Sequence, residues 1–360
     1  MSTNPSLDTR KIALLDLDAF FASAELLRQP QLRDKPFAVG GGGDRGVVAT
    51  ANYLARQYGV RSAMAGSQAR RLCPQLIFVR PDHAYYRAMS NQVFEVLQQY
   101  TETIEPASID EFYLDLTHNQ HYQGSASLTV SAIREQLRAL GLTASAGISN
   151  QKMVAKIASE ENKPDGQYLV TPEQVSAYLA QLDLKRIPGI GPKSLQKLHY
   201  AGLFLGKDVQ QAELTSLQRI LGEKAGWLVY QRCLGNDPRA VITERVRKSV
   251  GVEETLSQDA TSLRQLEQFL EQVLLPQLQK RMKVSNWQQA FIKSQTIKLK
   301  FSDFQQTTVS RTANLASPSL FYQLLRDAWD RRQQRQVRLI GISVALPDPD
   351  DALQLELELE

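Results

Sequence analysis

Cysteine is nearly absent from this 360-residue chain. Cys73 and Cys233 stand far apart and have no metal-ligand spacing. A disulfide scaffold is therefore excluded, and a reduced, cytoplasmic protein with incidental thiols is expected. No run of about 18 apolar residues occurs, so no transmembrane helix and no membrane partner is expected. Residues 1–10 are polar, include Pro5 and Asp8, and lack the apolar core of a signal peptide. The run Gly40-Gly41-Gly42-Gly43 is not followed by Gly-Lys-Ser/Thr. That rules out a Walker-type phosphate loop and leaves a flexible hairpin or loop. No repeat with a period of roughly 20–50 residues is visible.

What the chain does contain is the composition of a globular protein, 42% hydrophobic and 22% charged. Its length calls for about two to four domains. The net charge of +4 is unevenly spread. Residues 243–345 hold 16 Lys/Arg against 9 Asp/Glu, a surplus of seven, whereas 346–360 hold six acids and no base. A basic C-terminal third suits a polyanionic partner, although an ordinary mixed surface also reads this way. The acidic end reads as a detachable segment rather than part of a core.

The most informative stretch is Ile12-Ala13-Leu14-Leu15-Asp16-Leu17-Asp18-Ala19-Phe20-Phe21. An apolar strand ends in two carboxylates two residues apart, which a strand would point to one face. Such a pair is either a solvated turn or a seat for a divalent metal. A second interruption of the same kind lies at 104–116, where Asp110 and Glu111 break a strand pattern. Strict alternation would put these two on opposite faces. Both can serve one site only at a hairpin turn or bulge.

Along the chain, helices are expected at 22–27, 51–59, 68–72, 83–103, 126–140 and 152–161, with strands at 37–39, 46–50, 76–79, 143–148 and 167–170. This mixed order suits an α+β sheet carrying helices on one face. Tyr53 and Arg56 share a helical face, as a phosphate clamp or as an ordinary surface pair. From 171 the pattern turns helical. Ile187-Pro188-Gly189-Ile190-Gly191-Pro192-Lys193 is similar to a helix-hairpin-helix, whose turn offers backbone N–H groups to a phosphate; a generic helix-turn is the plainer reading. Beyond the basic connector 245–249 come a strand at 250–256, a helix at 262–284, strands at 294–301 and 307–311, a helix at 318–332 and a strand at 337–345. Lys298 and Lys300 alternate with apolar residues, so one face of their strand is cationic.

Asp16, Asp110 and Glu111 together could hold two Mg2+ ions roughly 3.5–4 Å apart, one activating a hydroxyl and one neutralising a leaving pyrophosphate. With these pieces in hand, the chain resembles a Y-family DNA polymerase of the bacterial DNA polymerase IV branch. The matching motifs include Asp16-Leu17-Asp18-Ala19-Phe20-Phe21, Ala49-Thr50-Ala51-Asn52-Tyr53 with Arg56, Gly59-Val60-Arg61-Ser62-Ala63-Met64, Ser108-Ile109-Asp110-Glu111, Ala155-Lys156-Ile157-Ala158-Ser159, Asn162-Lys163-Pro164-Asp165-Gly166 and Arg245-Val246-Arg247-Lys248-Ser249. They occur in family order over residues 11–345.

The resemblance implies an α+β, multidomain right-hand polymerase. It has a ferredoxin-like palm (1–18 and 82–170), small fingers (19–81) and a helical thumb with the hairpin motif (171–242). A linker (243–249), a C-terminal α/β little finger (250–345) and a flexible tail (346–360) complete it. Asp16, Asp110 and Glu111, with the Leu17 carbonyl, would bind two Mg2+ ions, for which Mn2+ substitutes. Asp18 matches a motif position that is not a direct ligand. Phe21 falls at the steric gate against a ribose 2′-OH. Tyr53, Arg56 and Lys163, with Thr50 and Phe20 nearby, match positions that contact the incoming dNTP. Gly189, Gly191, Lys193, Arg245, Arg247, Lys248, Lys298 and Lys300 would contact primer–template DNA. Phe112 departs from the small residue common after the Asp-Glu pair, and should point to the core side of its strand. Ser62 and Ala63 are small where a roof over the new base pair would lie. Gln354, Leu355, Leu357 and Leu359 are similar to a sliding-clamp-binding peptide, in which leucines fill an apolar groove. The implied activity is low-fidelity translesion DNA synthesis by a cytoplasmic monomer. A non-catalytic DNA-binding scaffold would need none of the three carboxylates, and a nucleotidyl cyclase with a similar palm would need no DNA grip.

Overall fold

The computed structural model describes residues 9–348. They form two compact units that divide between Glu244 and Arg245. The strands, in chain order, are β1 (Ile12–Leu17), β2 (Phe37–Gly40), β3 (Val48–Ala51), β4 (Ile77–Val79), β5 (Ile104–Pro106), β6 (Glu111–Asp115), β7 (Ala144–Ser149), β8 (Gln167–Leu169), β9 (Ser249–Ala260), β10 (Ser294–Phe301), β11 (Gln306–Thr312) and β12 (Val337–Ala345). Unit one holds the sheets β5-β6-β1-β7-β8 and β3-β2-β4, and unit two holds β11-β10-β12-β9. Among the described residues no helix is long and apolar enough to cross a membrane.

β1 sits at the centre of its sheet because both its faces are apolar. Ala13, Leu15 and Leu17 face the helices His83–Gln98 and Ala126–Ala139, packing with Tyr86, Val93, Leu97, Val130 and Ile133. Ile12 and Leu14 face the other way, with Tyr113, Ala155 and Val241. Helices on one face alone, as the element order suggests, is therefore incomplete. The helix Lys152–Ala158 covers the second face, so close to β7 that a Cβ at Gly147 would overlap the Ala155 carbonyl. An unbroken apolar run such as Ile12 to Leu15, rather than alternation, is what two-sided burial requires.

The smaller sheet of unit one carries the short helix Tyr53–Gln57, capped by Asn52, whose side chain accepts the Ala55 N–H at 3.0 Å. A helical cluster follows, centred on Leu179, Leu184, Leu198, Leu217 and Val229. In the hairpin motif, the expected first helix is one 3-10 turn, Leu184–Arg186. Gly189 then turns with φ +88° into the helix Pro192–Tyr200. In unit two, one face of the sheet is covered by Leu263–Phe269, Leu275–Met282 and Pro318–Asp330. The helix expected at 262–284 is broken by a π-turn at Leu270–Leu274, because Pro276 opens the last segment and has no N–H to continue the ladder.

Candidate active site

The register of the first sheet sets Asp16 of β1 directly opposite Glu111 of β6, with Ser145 of β7 on its other side. Asp110 lies in the tight turn of the β5–β6 hairpin, just before β6 begins, which meets the turn requirement for an adjacent pair. Its carbonyl accepts the Leu17 N–H at 2.9 Å, tying the turn to the end of β1. Ser108 shapes the turn: its hydroxyl accepts the N–H groups of Asp110 (3.2 Å) and Glu111 (3.0 Å) and donates to the Asp110 carboxylate. Phe112 points away, 2% exposed in the core, its ring 6.4 Å from that of Phe94.

A cavity of about 220 Å³ opens at this strand end, lined among others by Asp16, Asp110, Phe21, Thr50, Arg56 and Lys163. Leu17, Phe20 and Ser62 complete much of its wall. Lys163 Nζ lies 2.6 Å from Asp16 Oδ1. Burial pushes the Asp16 carboxyl up to about 6; Lys163 opposes the rise and the neighbouring Glu111 adds to it. Glu111 is paired with Lys156. Each carboxylate is thus held by its own partner: Lys163, Ser108 or Lys156. Among the described residues no three His, Cys, Asp or Glu side chains converge tightly enough to hold a metal in this arrangement. The donor set itself is hard carboxylate oxygen, with like charges of Asp16 and Glu111 facing each other across one strand pair. That set fits a divalent cation of the Mg2+ type.

Asp18 does something else. It is 1% exposed and accepts from Ser145 Oγ (2.7 Å), the Asp165 N–H (2.9 Å) and the Tyr53 hydroxyl (3.5 Å). β1 ends at Leu17 and Ala19 takes a left-handed turn at φ +44°, yet the Asp18 N–H still donates to the Thr143 carbonyl at 2.9 Å. Asp18 also bonds the side chain of Ser145, the residue in register with Asp16, so the two carboxylates stay on one side of the sheet as strand alternation would have it. Asp165 in turn pairs with Arg134 at 2.9 Å and Arg138 at 3.0 Å. These bonds fix the loop that presents Lys163. Phe21 is stacked on Tyr86, with centroids 4.2 Å apart and planes at 15°. Tyr86 is locked from below by a 2.7 Å hydrogen bond from its hydroxyl to the buried Glu25.

Arg56 donates from Nε to the Ala51 carbonyl at 3.0 Å and stands 4.8 Å over the Tyr53 ring. Tyr53 is half-buried, and its hydroxyl is turned towards Asp18. Phe20 is a core residue, 2% exposed, that reaches the cavity only at its edge. Gly189, Gly191 and Lys193 belong to the helical cluster, where Lys193 is exposed. Arg245, Arg247 and Lys248 are exposed in unit two, and Lys298 and Lys300 project from β10 on its polar face. Gln354, Leu355, Leu357 and Leu359 lie outside the described residues. Sequence reasoning missed Ser108, Lys156, Tyr86 and Glu25 as partners of the site. Ser108 was legible, since a serine two and three residues before a turn's N–H groups is a turn signature. The others depend on register and helix packing.

Residues 15–160 match the impB/mucB/samB family, 247–357 match the C-terminal domain of that family, and 185–237 match the DNA polymerase-iota thumb domain. A DNA polymerase IV of Vibrio cholerae is 44% identical over 97% of both chains. One of Shewanella denitrificans is 47% identical over 94% of both. Among solved structures, a Y-family DNA polymerase chimera of Dbh and Dpo4 superposes with a TM-score of 0.81 at 27% identity, covering 93% of this chain and 98% of that one. DinB from Sulfolobus solfataricus gives 0.63 at 27% identity, with the same coverage.

Proposed function

This chain belongs to the DNA polymerase IV branch of the Y-family DNA polymerases, and on that premise we propose how its residues divide the work. It is a DNA-directed DNA polymerase that carries out translesion synthesis and needs a divalent metal. The palm spans 1–18 and 82–170, the fingers 19–81, the thumb 171–242, the linker 243–249 and the little finger 250–345. Asp16, Asp110 and Glu111, with the Leu17 carbonyl, would hold two Mg2+ ions. When bound, these ions supply an acidified primer 3′-OH and a neutralised pyrophosphate leaving group.

The chain's own side chains do the rest. Arg56 and Lys163 receive the triphosphate of a dNTP, with Thr50 and Tyr53 beside them; Lys163 leaves Asp16 for the phosphate as it does so. Phe21, backed by Tyr86, fills the space of a ribose 2′-OH. Ser62 and Ala63 leave the base pair loosely roofed, which favours tolerance over fidelity. Gly189, Gly191 and Lys193 hold phosphates at the thumb, and Arg245, Arg247, Lys248, Lys298 and Lys300 do so from the linker and little finger. The Gln354, Leu355, Leu357 and Leu359 peptide docks on a sliding clamp, raising the local concentration of a monomeric, cytoplasmic enzyme at primer ends.

One observation carries this reading: Asp16, set opposite Glu111 across β1 and β6, lines a cavity together with Asp110, Phe21, Arg56 and Lys163. Primer extension by the purified chain tests it. Template-dependent extension with Mg2+ is expected, and extension by the Asp110→Ala variant is not. A chain that binds primer–template yet never extends it, with Mg2+ or Mn2+, overturns the assignment.

A further inference from the structure

The outward face of the second unit's sheet has an unusual centre. The register lays Thr308, Lys298, Gly341 and Glu253 in one row across β11, β10, β12 and β9. Lys298 and Glu253 are not on neighbouring strands, yet Lys298 Nζ reaches Glu253 Oε2 at 2.8 Å. The ion pair arches over Gly341, where nothing stands in its way. A Cβ at Gly341 would lie 2.8 Å from the Glu253 Cβ. In the next row Gly251 leaves the backbone equally bare beside Ser343, and Arg281 donates to the Gly251 carbonyl at 2.7 Å. Together these residues line a cavity of about 330 Å³. In the four rows set in register between Ser249 and Thr255, the outward residues are mostly Ser, Thr and Gly, with Lys298 and Lys300. Glu253 is the only carboxylate among them.

A phosphodiester approaching this bare backbone would meet Lys298 and Arg281, but Lys298 is already taken by a carboxylate of the same charge as the incoming group. We infer that Glu253 is a built-in competitor of the DNA backbone: it occupies Lys298 across Gly341, and so weakens the hold of this sheet on a phosphate seated over the two glycines. The inference rests on the reading that this sheet face meets DNA, and it adds the residue that limits the grip. The pair is half-exposed, with 34% of the Lys298 and 53% of the Glu253 side chain open, so an incoming phosphate can exchange with the carboxylate rather than having to break a buried bond. A polymerase held loosely here lets go of its template readily.

The experiment measures binding of a labelled primer–template to the full chain over a salt series, for wild type, Glu253→Gln, Lys298→Ala and the double variant. Removing one backbone contact should lower the slope of log K against log salt by about 0.9 and freeing one should raise it by a similar amount. Glu253→Gln is expected to tighten binding by roughly three- to tenfold at low salt, and the double variant to bind like Lys298→Ala alone, because the competitor acts through the lysine. If Glu253→Gln gains nothing, or gains the same factor with and without Lys298, the competitor role is overturned. If Lys298→Ala itself changes neither affinity nor slope, it is the underlying reading of this face as a DNA contact that fails. Melting temperatures of all four proteins check that the exposed substitutions leave the fold intact.

Discussion

Charges in the two large sheets are handled in opposite ways. At the end of β1, the side chains of Asp16 and Lys163 are only 14% and 17% exposed and pair with each other at 2.6 Å, with Glu160 a further partner of Lys163 at 3.5 Å. On the outer face of the β9–β12 sheet, Lys298 and Glu253 stand well into solvent. Coulomb interactions strengthen as water is excluded, so the first arrangement is sensitive to position and the second to charge count. In the palm, moving one carboxylate should abolish chemistry. In the little finger, removing one lysine should shift an equilibrium.

The largest expected effect lies at the buried end. Asp110→Ala should lower single-turnover extension by at least about 10³-fold, since it removes an interaction that matters most in the transition state. Primer–template affinity should stay within about threefold of wild type, as read by anisotropy, because a carboxylate contributes no attraction to phosphate. A comparable loss of both would mean that Asp110 serves the fold rather than the chemistry. Next comes sugar selection. Phe21→Ala should cut discrimination against ribonucleotides by roughly 10²-fold, measured as the ratio of kcat/KM for dNTP and rNTP. The Tyr86 stack beneath Phe21 keeps the ring from drifting, so Phe21→Leu should lose less. Unchanged discrimination in both variants would remove Phe21 from the gate.

These contrasts also explain what could be read from the chain alone. That Asp16, Asp110 and Glu111 interrupt apolar strand patterns was legible, with a solvated turn as the other reading. That Asp16 and Glu111 stand opposite each other follows only from the pairing of β1 with β6. The turn that reconciles Asp110 with Glu111 was legible only as a condition, and Ser108 turned out to meet it. Lys298 and Lys300 were legible from period-2 alternation. Their relation to Glu253 was not, because it runs across a third strand and depends on Gly341. Lys156 on Glu111 and Tyr86 under Phe21 were hidden for the same reason: local pattern fixes faces, while long-range register fixes partners. The second helical cover of β1 escaped because element order alone does not say which face a helix chooses.

Asp18 tests the buried side without touching the reaction directly. Asp18→Ala leaves Ser145 and the Asp165 N–H without their acceptor in a site that is almost fully enclosed. Loss of about 3 kcal/mol is expected for a buried, multiply bonded carboxylate. It should appear as a lower midpoint of thermal or urea unfolding of unit one. Lys163 rides on the same loop, so KM for dNTP should rise more than kcat falls. A variant with wild-type stability would show that the Arg134 and Arg138 pairs at Asp165 hold the loop unaided.

Lys300 marks the other end of the scale. Its ammonium stands 5.0 Å from the Phe304 ring on the outer face of β10, two residues from Lys298. Lys300→Gln keeps a polar side chain, one atom shorter, and removes the charge together with its contact to the Phe304 ring. Affinity for primer–template should fall by only about two- to fivefold, with the salt slope smaller by about 0.9. Extension at saturating DNA should not change, because the cavity at the end of β1 is lined by residues of unit one. A loss of kcat at saturation would break the division drawn between the two sheets. It would mean that a half-exposed cation in unit two tunes the geometry at Asp16, which charge counting on an exposed face does not allow.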